Sequence, residues 1–331
     1  MPCAQLLELP PPPVGKSGWP WTEGSHLLPA TMPDGRAWPR VTVVTPSFNQ
    51  VDFVEETLRS VLLQGYPNLE YLVLDGGSTD GSVSVIEKYA PWIDHWVSEP
   101  DGGQSAAINR GLEMGTGDFA CWINSDDLLY QNAFFEHANR VDFDPGVVYL
   151  GQCALIAADS SLLFVRESGI RNLEDLLRVR DVWRQGRNIT QAEVLFPRQM
   201  FLDVGGLDVS NHLSMDYELW GKFFLAGAEF RNTGVPFGMF RQQPDQKTRD
   251  RIATTNSMVD SALRLLEQAH GIPADTREAL RADLLAYRDE YPDLAWRKSG
   301  GRLARMGVPR PIGMRIRSLK ARLAGLIRGK A

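Results

Sequence analysis

Cysteine is scarce in this chain: three in 331 residues, Cys3, Cys121 and Cys153, with no Cys-x-x-Cys pair. That excludes a disulfide framework and favours a reducing compartment. Long apolar runs are missing too, since none reaches the roughly 18–20 residues needed to span a bilayer. The first fourteen residues lack a basic segment followed by a long apolar one, so no secretory signal is expected. A cytoplasmic protein is the expectation. Acidic residues are absent from 297–331, where eleven basic residues stand. The chain as a whole carries −6, so residues 1–296 carry −17. An acidic body with a basic tail is the pattern of a domain with an interaction segment.

With 43% hydrophobic residues over this length, the chain can bury a sizeable core and is not broadly disordered. Residues 1–39 are rich in proline and tryptophan, with four consecutive prolines at 10–13. Such a segment cannot be helical and reads as an extended arm, which Trp19, Trp21 and Trp38 would pack onto the body. The body then alternates. Strands are predicted over 40–46, 69–74, 93–97 and 119–123, with helices over 51–64, 83–89 and 105–114 between them. This order predicts an α/β fold with a mostly parallel, Rossmann-like sheet flanked by helices. Ligands in such sheets bind at the carboxyl ends of the strands.

From 146 the pattern is irregular. One or two strands over 146–157, a helix and loop over 173–186, and a strand over 193–196 are expected. A short helix over 197–204 and a longer one over 215–226 follow. Two further helices, near 251–270 and 274–290, form a C-terminal extension. Three units result: the arm 1–39, a domain 40–248 divided at 127 into two halves, and an extension 249–331.

Acidic groups recur at predicted strand ends: Asp75 and Asp80 in Asp75-Gly-Gly-Ser-Thr-Asp-Gly81, and the adjacent pair Asp126 and Asp127. Neighbouring carboxylates repel, and a divalent cation relieves the repulsion; Mg²⁺ or Mn²⁺ is held by one or two carboxylates plus substrate phosphates. Taken singly, each cluster equally fits ordinary capping and turn chemistry.

The ordered set is more specific. Pro46-Ser-Phe-Asn49, Asp75 to Gly81, Glu99-Pro-Asp-Gly-Gly-Gln-Ser105 with Asn109-Arg-Gly111, and Asn124-Ser-Asp-Asp127 follow one another. Gln191, Gly205-Gly206-Leu-Asp208, Met215-Asp-Tyr-Glu-Leu-Trp220 and Phe240-Arg241 with Gln246-Lys-Thr248 come after them. Over about 40–248 this resembles family 2 glycosyltransferases, inverting enzymes of GT-A type fold. The resemblance implies transfer of a sugar from a nucleotide-diphosphate sugar, a UDP-sugar first, to a glycan or lipid-linked acceptor in bacterial polysaccharide or glycoconjugate assembly.

By the same resemblance, Pro46, Phe48, Asn49, Asp75 and Ser78 would line the nucleobase end of the donor site. Gln104 and Asn109 would lie near ribose and diphosphate. Asp126 and Asp127 match the metal and ribose site, with Asp127 in direct contact with Mg²⁺ or Mn²⁺. Asp216 matches the catalytic base. Trp183, Gln191, His212 and Glu218 fall in the acceptor half, where Trp183 could equally be core and Glu218 and His212 structural. Two departures stand out: Asn124 where relatives often carry an aspartate, and Gln243 where they often carry a histidine.

Other classes fit less well. Gly115-Thr-Gly-Asp-Phe-Ala120 spells a dinucleotide fingerprint, but a predicted helix precedes it and a strand follows, the reverse of the required order. A nucleotidyltransferase would need a Gly-rich basic loop where Pro46 to Asn49 stand. A non-catalytic nucleotide-sugar-binding or scaffold protein of the same fold is the main alternative. In the tail, Ile312, Ile316, Leu319, Leu323, Leu326 and Ile327 form one helical stripe flanked by arginine and lysine. That pattern suits a membrane interface over 310–331, at the inner face of the plasma membrane, or docking on the acidic body or a partner. No nucleic-acid motif is present.

Overall fold

A computed structural model describes residues 4–243 and 250–303, with side chains to 292. Residues 304–331, which include the amphipathic stretch 310–331, and Gln246, Lys247 and Thr248 therefore lie outside the described residues.

The first half follows the expected alternation. β1 (Val41–Ser47), β2 (Leu69–Asp75), β3 (His95–Ser98) and β4 (Phe119–Trp122) pair in parallel, in the order β3-β2-β1-β4. Between them run α1 (Val54–Leu62), α2 (Ser82–Tyr89) and α3 (Gln104–Met114). β1 and β2 are buried along their whole length, which is why they read as continuous β-branched and aliphatic runs. Successive side chains point to opposite faces. Val44, Leu74 and Trp122 enter one core, while Val43, Val73 and Cys121 enter the other.

The second half makes the sheet mixed rather than mostly parallel. β5 (Leu128–Leu129) is followed by α4 (Ala133–Ala138), β6 (Val147–Ile156) and β7 (Leu162–Arg166). Then come α5 (Leu173–Leu177), β8 (Val194–Pro197), α6 (Arg198–Asp203), α7 (Met215–Leu225) and β9 (Glu229–Arg241). β8 runs antiparallel to β4, and β6 antiparallel to β8, whereas β9 runs parallel to β6. The order is β3-β2-β1-β4-β8-β6-β9-β5, with β7 on β6. Only β1–β4 and the β6–β9 pair are parallel.

The extension is not a separate layer. α8 (Arg251–Gln268) and α9 (Ala274–Leu303) enter the core that α3 and α7 share, through Met258, Val259, Leu265 and Leu284. The arm contributes to the opposite core through Leu9, Leu28 and Trp38. Its anchor is the fully buried Arg59 of α1, which donates to the carbonyls of Pro10, Pro20 and Trp21 at 2.8–3.0 Å. The guanidinium thus replaces the hydrogen bonds that a non-repetitive buried backbone would otherwise lack.

Candidate active site

The functional residues gather at the carboxyl edge of β1–β4. Ser47, Asp75 and Ser98 stand side by side in the ladder. Asp75 is 2% exposed and accepts from the amides of Gly77 and Ser78 and from the hydroxyls of Ser78 and Ser98. Its carboxylate therefore shapes the turn after β2. Ser78 Oγ in turn accepts from Asn49 N at 2.7 Å, and Asn49 Oδ1 accepts from Thr79 N at 2.9 Å. Asn49 sits at φ 51°, a conformation asparagine tolerates. Asn49 and Ser78 thus lock two loops together. Pro46 is buried within β1, while Phe48 just beyond it is 61% exposed. Beside Asp75 opens a cavity of about 220 Å³, lined in part by Val97, Glu99, Asp101, Gly102 and Arg110.

After β4, an amide chain organises the carboxylates. Gln104 Nε2 donates to Asn124 Oδ1 at 2.7 Å. Asn124 Nδ2 donates to Asp127 Oδ2 at 3.1 Å and to Gln191 Oε1 at 3.0 Å, and Gln191 Nε2 donates to the Trp122 carbonyl. Asp127 is 1% exposed; its Oδ1 accepts from Arg241 N at 2.8 Å. Asp126 is only partly buried, and among the described residues its carboxylate accepts from Gln243 Nε2 alone, at Oδ2. Burial raises the pKa of Asp126. It raises that of Asp127 well above the ordinary range, with the Asp126 charge adding to the effect.

These contacts engage the expected residues unequally. Both Asp127 oxygens accept internal donors, whereas among the described residues one Asp126 oxygen accepts from Gln243 and the other from none. Among the described residues no cluster of three His, Cys, Asp or Glu side chains is arranged to hold a metal. One open carboxylate with a repelling neighbour still fits an ion that completes its shell from substrate phosphates. Gln191 joins the amide chain under the loop. Asn109 is likewise consumed: its side chain donates to Leu207 O and accepts from Leu207 N, both at 2.9 Å.

Asp216 is the second residue of α7 and is partly buried. Its Oδ1 accepts from Tyr217 N at 2.8 Å, and among the described residues no donor reaches Oδ2. Burial raises its pKa, while the helix N-terminus favours the anion. Two contacts fix α7 against the carboxylate loop. Trp220 stacks on Trp122 of β4 with ring centroids 5.7 Å apart and planes at 16°. Ser105 Oγ donates to Met215 Sδ at 2.7 Å, and the adjacent Gln104 holds Asn124. The start of α3 thus bridges the base candidate's helix and the carboxylate loop.

The remaining acceptor candidates separate. Trp183 is 8% exposed and packs edge-on against Tyr217, 4.9 Å between centroids, so it is core. Glu218 is buried among Asn211, Ser261 and Arg264. His212 alone is exposed.

Arg241 and Glu56 carry an unexpected role. The fully buried Arg241 guanidinium donates to Asp126 O, Ser160 Oγ and Glu56 Oε2 at 2.7–2.9 Å. Its side chain and amide together hold both residues of the acidic pair. Glu56 lies off the apolar stripe of α1, and Arg241 ends a strand that does not alternate. Neither position announces burial.

The family model "Glycosyl transferase family 2" matches residues 42–201, just under half of the chain. Residues 42–201 are thus similar to a family 2 glycosyltransferase domain. An uncharacterized glycosyltransferase of Rickettsia typhi is 30% identical over 196 residues, 58% of this chain and 61% of that protein. A Bacillus subtilis glycosyltransferase named for teichuronic acid biosynthesis, TuaG, is 37% identical over 93 residues, 27% of this chain and 36% of that protein. The matches thus span less than two thirds of these relatives. Among solved structures, S. aureus TarS residues 1–349 with UDP-GlcNAc aligns at TM-score 0.58 and 15% identity, covering 76% of this chain and 73% of that one. The mannosyltransferase PcManGT of Pyrobaculum calidifontis, with GDP-Man and Mn²⁺, aligns at 0.51 and 21%, covering 87% and 80%. These likenesses establish the GT-A type fold; no helix among the described residues is long and apolar enough to cross a membrane.

Proposed function

We propose that the protein is an inverting, metal-dependent glycosyltransferase that moves a sugar from a nucleotide-diphosphate sugar to an acceptor hydroxyl. The observation that carries this reading is Asp216, a carboxylate with one oxygen that no donor reaches among the described residues, tied to the Asn124–Asp127 loop through Gln104 and Ser105. Phe48 and the cavity beside Asp75 supply an aromatic face and a recess for the nucleobase. Gly102 and Gly103 let the backbone approach the diphosphate at the start of α3, where amides favour an anion. Asp126 would hold a divalent cation, which would neutralise charge on the departing diphosphate.

The chain's own part is proton removal. Asp216 accepts the proton of the acceptor hydroxyl as its oxygen bonds to the anomeric carbon, while the bond from that carbon to the diphosphate breaks. One displacement inverts the anomeric centre. The relatives and the folds above support sugar-nucleotide chemistry, and the TuaG match supports a role in surface-polysaccharide assembly. The basic sequence of 310–331 supports a peripheral membrane position close to a lipid-linked acceptor.

A second reading has its own observation. Asn124 is fully engaged and Gln243 supplies an amide where an imidazole could ligate, so a nucleotide-sugar-binding protein without turnover is the competing class. Thermal stabilisation by a panel of UDP- and GDP-sugars with and without Mn²⁺, followed by turnover of those that bind, tests both. Metal-dependent binding with turnover supports transfer; binding without turnover against any acceptor supports the second reading.

A further inference from the structure

A buried polar cluster lies between the first turn of α7 and α8. Glu218 Oε2 accepts from Asn211 Nδ2 at 2.8 Å, Ser261 Oγ at 3.0 Å and Arg264 Nη2 at 2.5 Å. Ser214 directly precedes α7, where a serine ordinarily caps its own helix. It makes no such cap; its Oγ lies 2.7 Å from Ser257 Oγ and 3.2 Å from Ser261 Oγ. Asn211 Oδ1 accepts from Ser214 N at 3.0 Å and closes the turn.

Ser257, Ser261 and Arg264 recur at four- and three-residue steps, so they form one polar face of α8 turned toward α7. Below them the two helices are in close contact: a Cβ built on Gly221 would lie 2.2 Å from Leu265 Cδ1. Residues two apart on a helix are about 200° apart around it. Glu218 therefore grips the back of the turn from which Asp216 emerges on the other side.

We propose that Glu218, held by Ser261 and Arg264, is a positioning group for Asp216. Through it, α8 sets the placement of the carboxylate, making the C-terminal extension part of the catalytic unit. Glu218 touches neither donor nor acceptor; it acts through the first turn of α7. This rests on the reading of Asp216 as the base.

The test compares Glu218→Gln, Arg264→Ala and Arg264→Lys with wild type and Asp216→Asn. All are assayed on the full chain with the UDP- or GDP-sugar that wild type turns over. Nucleotide affinity is measured in parallel by calorimetry with UDP or GDP and Mn²⁺. Arg264 is half exposed, so its replacement leaves the core intact. The expected result is a kcat roughly 10- to 100-fold lower in Glu218→Gln and Arg264→Ala, since small misplacements of a reacting group cost this much. Donor KM and nucleotide affinity stay within about twofold of wild type on the same argument, and Arg264→Lys recovers most of the rate. Unchanged kcat in Glu218→Gln while Asp216→Asn is inactive overturns this inference alone. So does a parallel loss of kcat and nucleotide affinity, which marks a general structural role. Full activity in Asp216→Asn overturns the base assignment and this inference with it.

Discussion

Asp216 is the proposed base, and its partly buried place gives it a testable pH signature. A base must be ionised to work, and burial raises this carboxyl above its ordinary value. The rate should therefore fall with decreasing pH through a pKa higher than that of an exposed aspartate, and pH profiles of kcat/KM would show it. Glu193 offers a second titration. It is fully buried, and desolvation pushes its carboxyl up to about 8. The native state then keeps a proton that the unfolded chain loses near its ordinary value. Stability from this group is complete below that value and is lost as pH rises through about 8. Glu193→Gln should thus match wild type near pH 4.5 and exceed it in Tm at pH 8, by roughly 2–4 °C per kcal/mol recovered. Arg241 and Glu56 form a buried ion pair. Glu56→Ala would remove the carboxylate that accepts from the buried guanidinium, and should cost about 3–5 kcal/mol in denaturant unfolding.

Helices and strands differ in how far the sequence discloses them. β1, β2 and β4 are buried on both faces, so continuous apolar runs mark them, and the helices between carry clear stripes. β9 is different. Its thirteen residues include Gly234, Pro236 and Gly238, and its register on β6 shifts around Pro236, so neither alternation nor an apolar run survives. Gly238 serves close approach: a Cβ there would stand 2.0 Å from the Ala192 carbonyl. Asp75 and Asp126 could be singled out because acidic groups recur at strand ends, and Asp216 because its segment resembles the family's base motif. Their division of labour could not, since adjacent Asp126 and Asp127 differ only in which donors the fold aims at them. Glu218, Gln191 and Asn109 are polar residues that the fold consumes internally. The α7–α8 contact predicts a further result. Gly221→Ala should push Leu265 away and cost about 1–3 kcal/mol by chemical denaturation, because a packed interface resists an added methyl.

The whole molecule is one sheet with a core on each face, and both chain extensions belong to those cores. The arm is held through Arg59, so Arg59→Met, which removes the donors to three backbone carbonyls, should cost roughly 2–4 kcal/mol. Fluorescence of Trp21, whose ring lies 5.5 Å from the Arg59 guanidinium carbon, would report whether the arm lifts. α8 and α9 close the other face behind the proposed base. The excess negative charge of the body now has particular holders at the site in Asp75, Asp126, Asp127 and Asp216. The central claim is that Asp216 performs the proton transfer on a bound nucleotide-sugar. Its most direct test measures donor turnover, with acceptor glycans and with water, alongside calorimetric UDP or GDP binding in wild type and Asp216→Asn. The account predicts unchanged nucleotide binding with kcat about 10²–10⁴-fold lower in the variant. Equal turnover by the two proteins would contradict it.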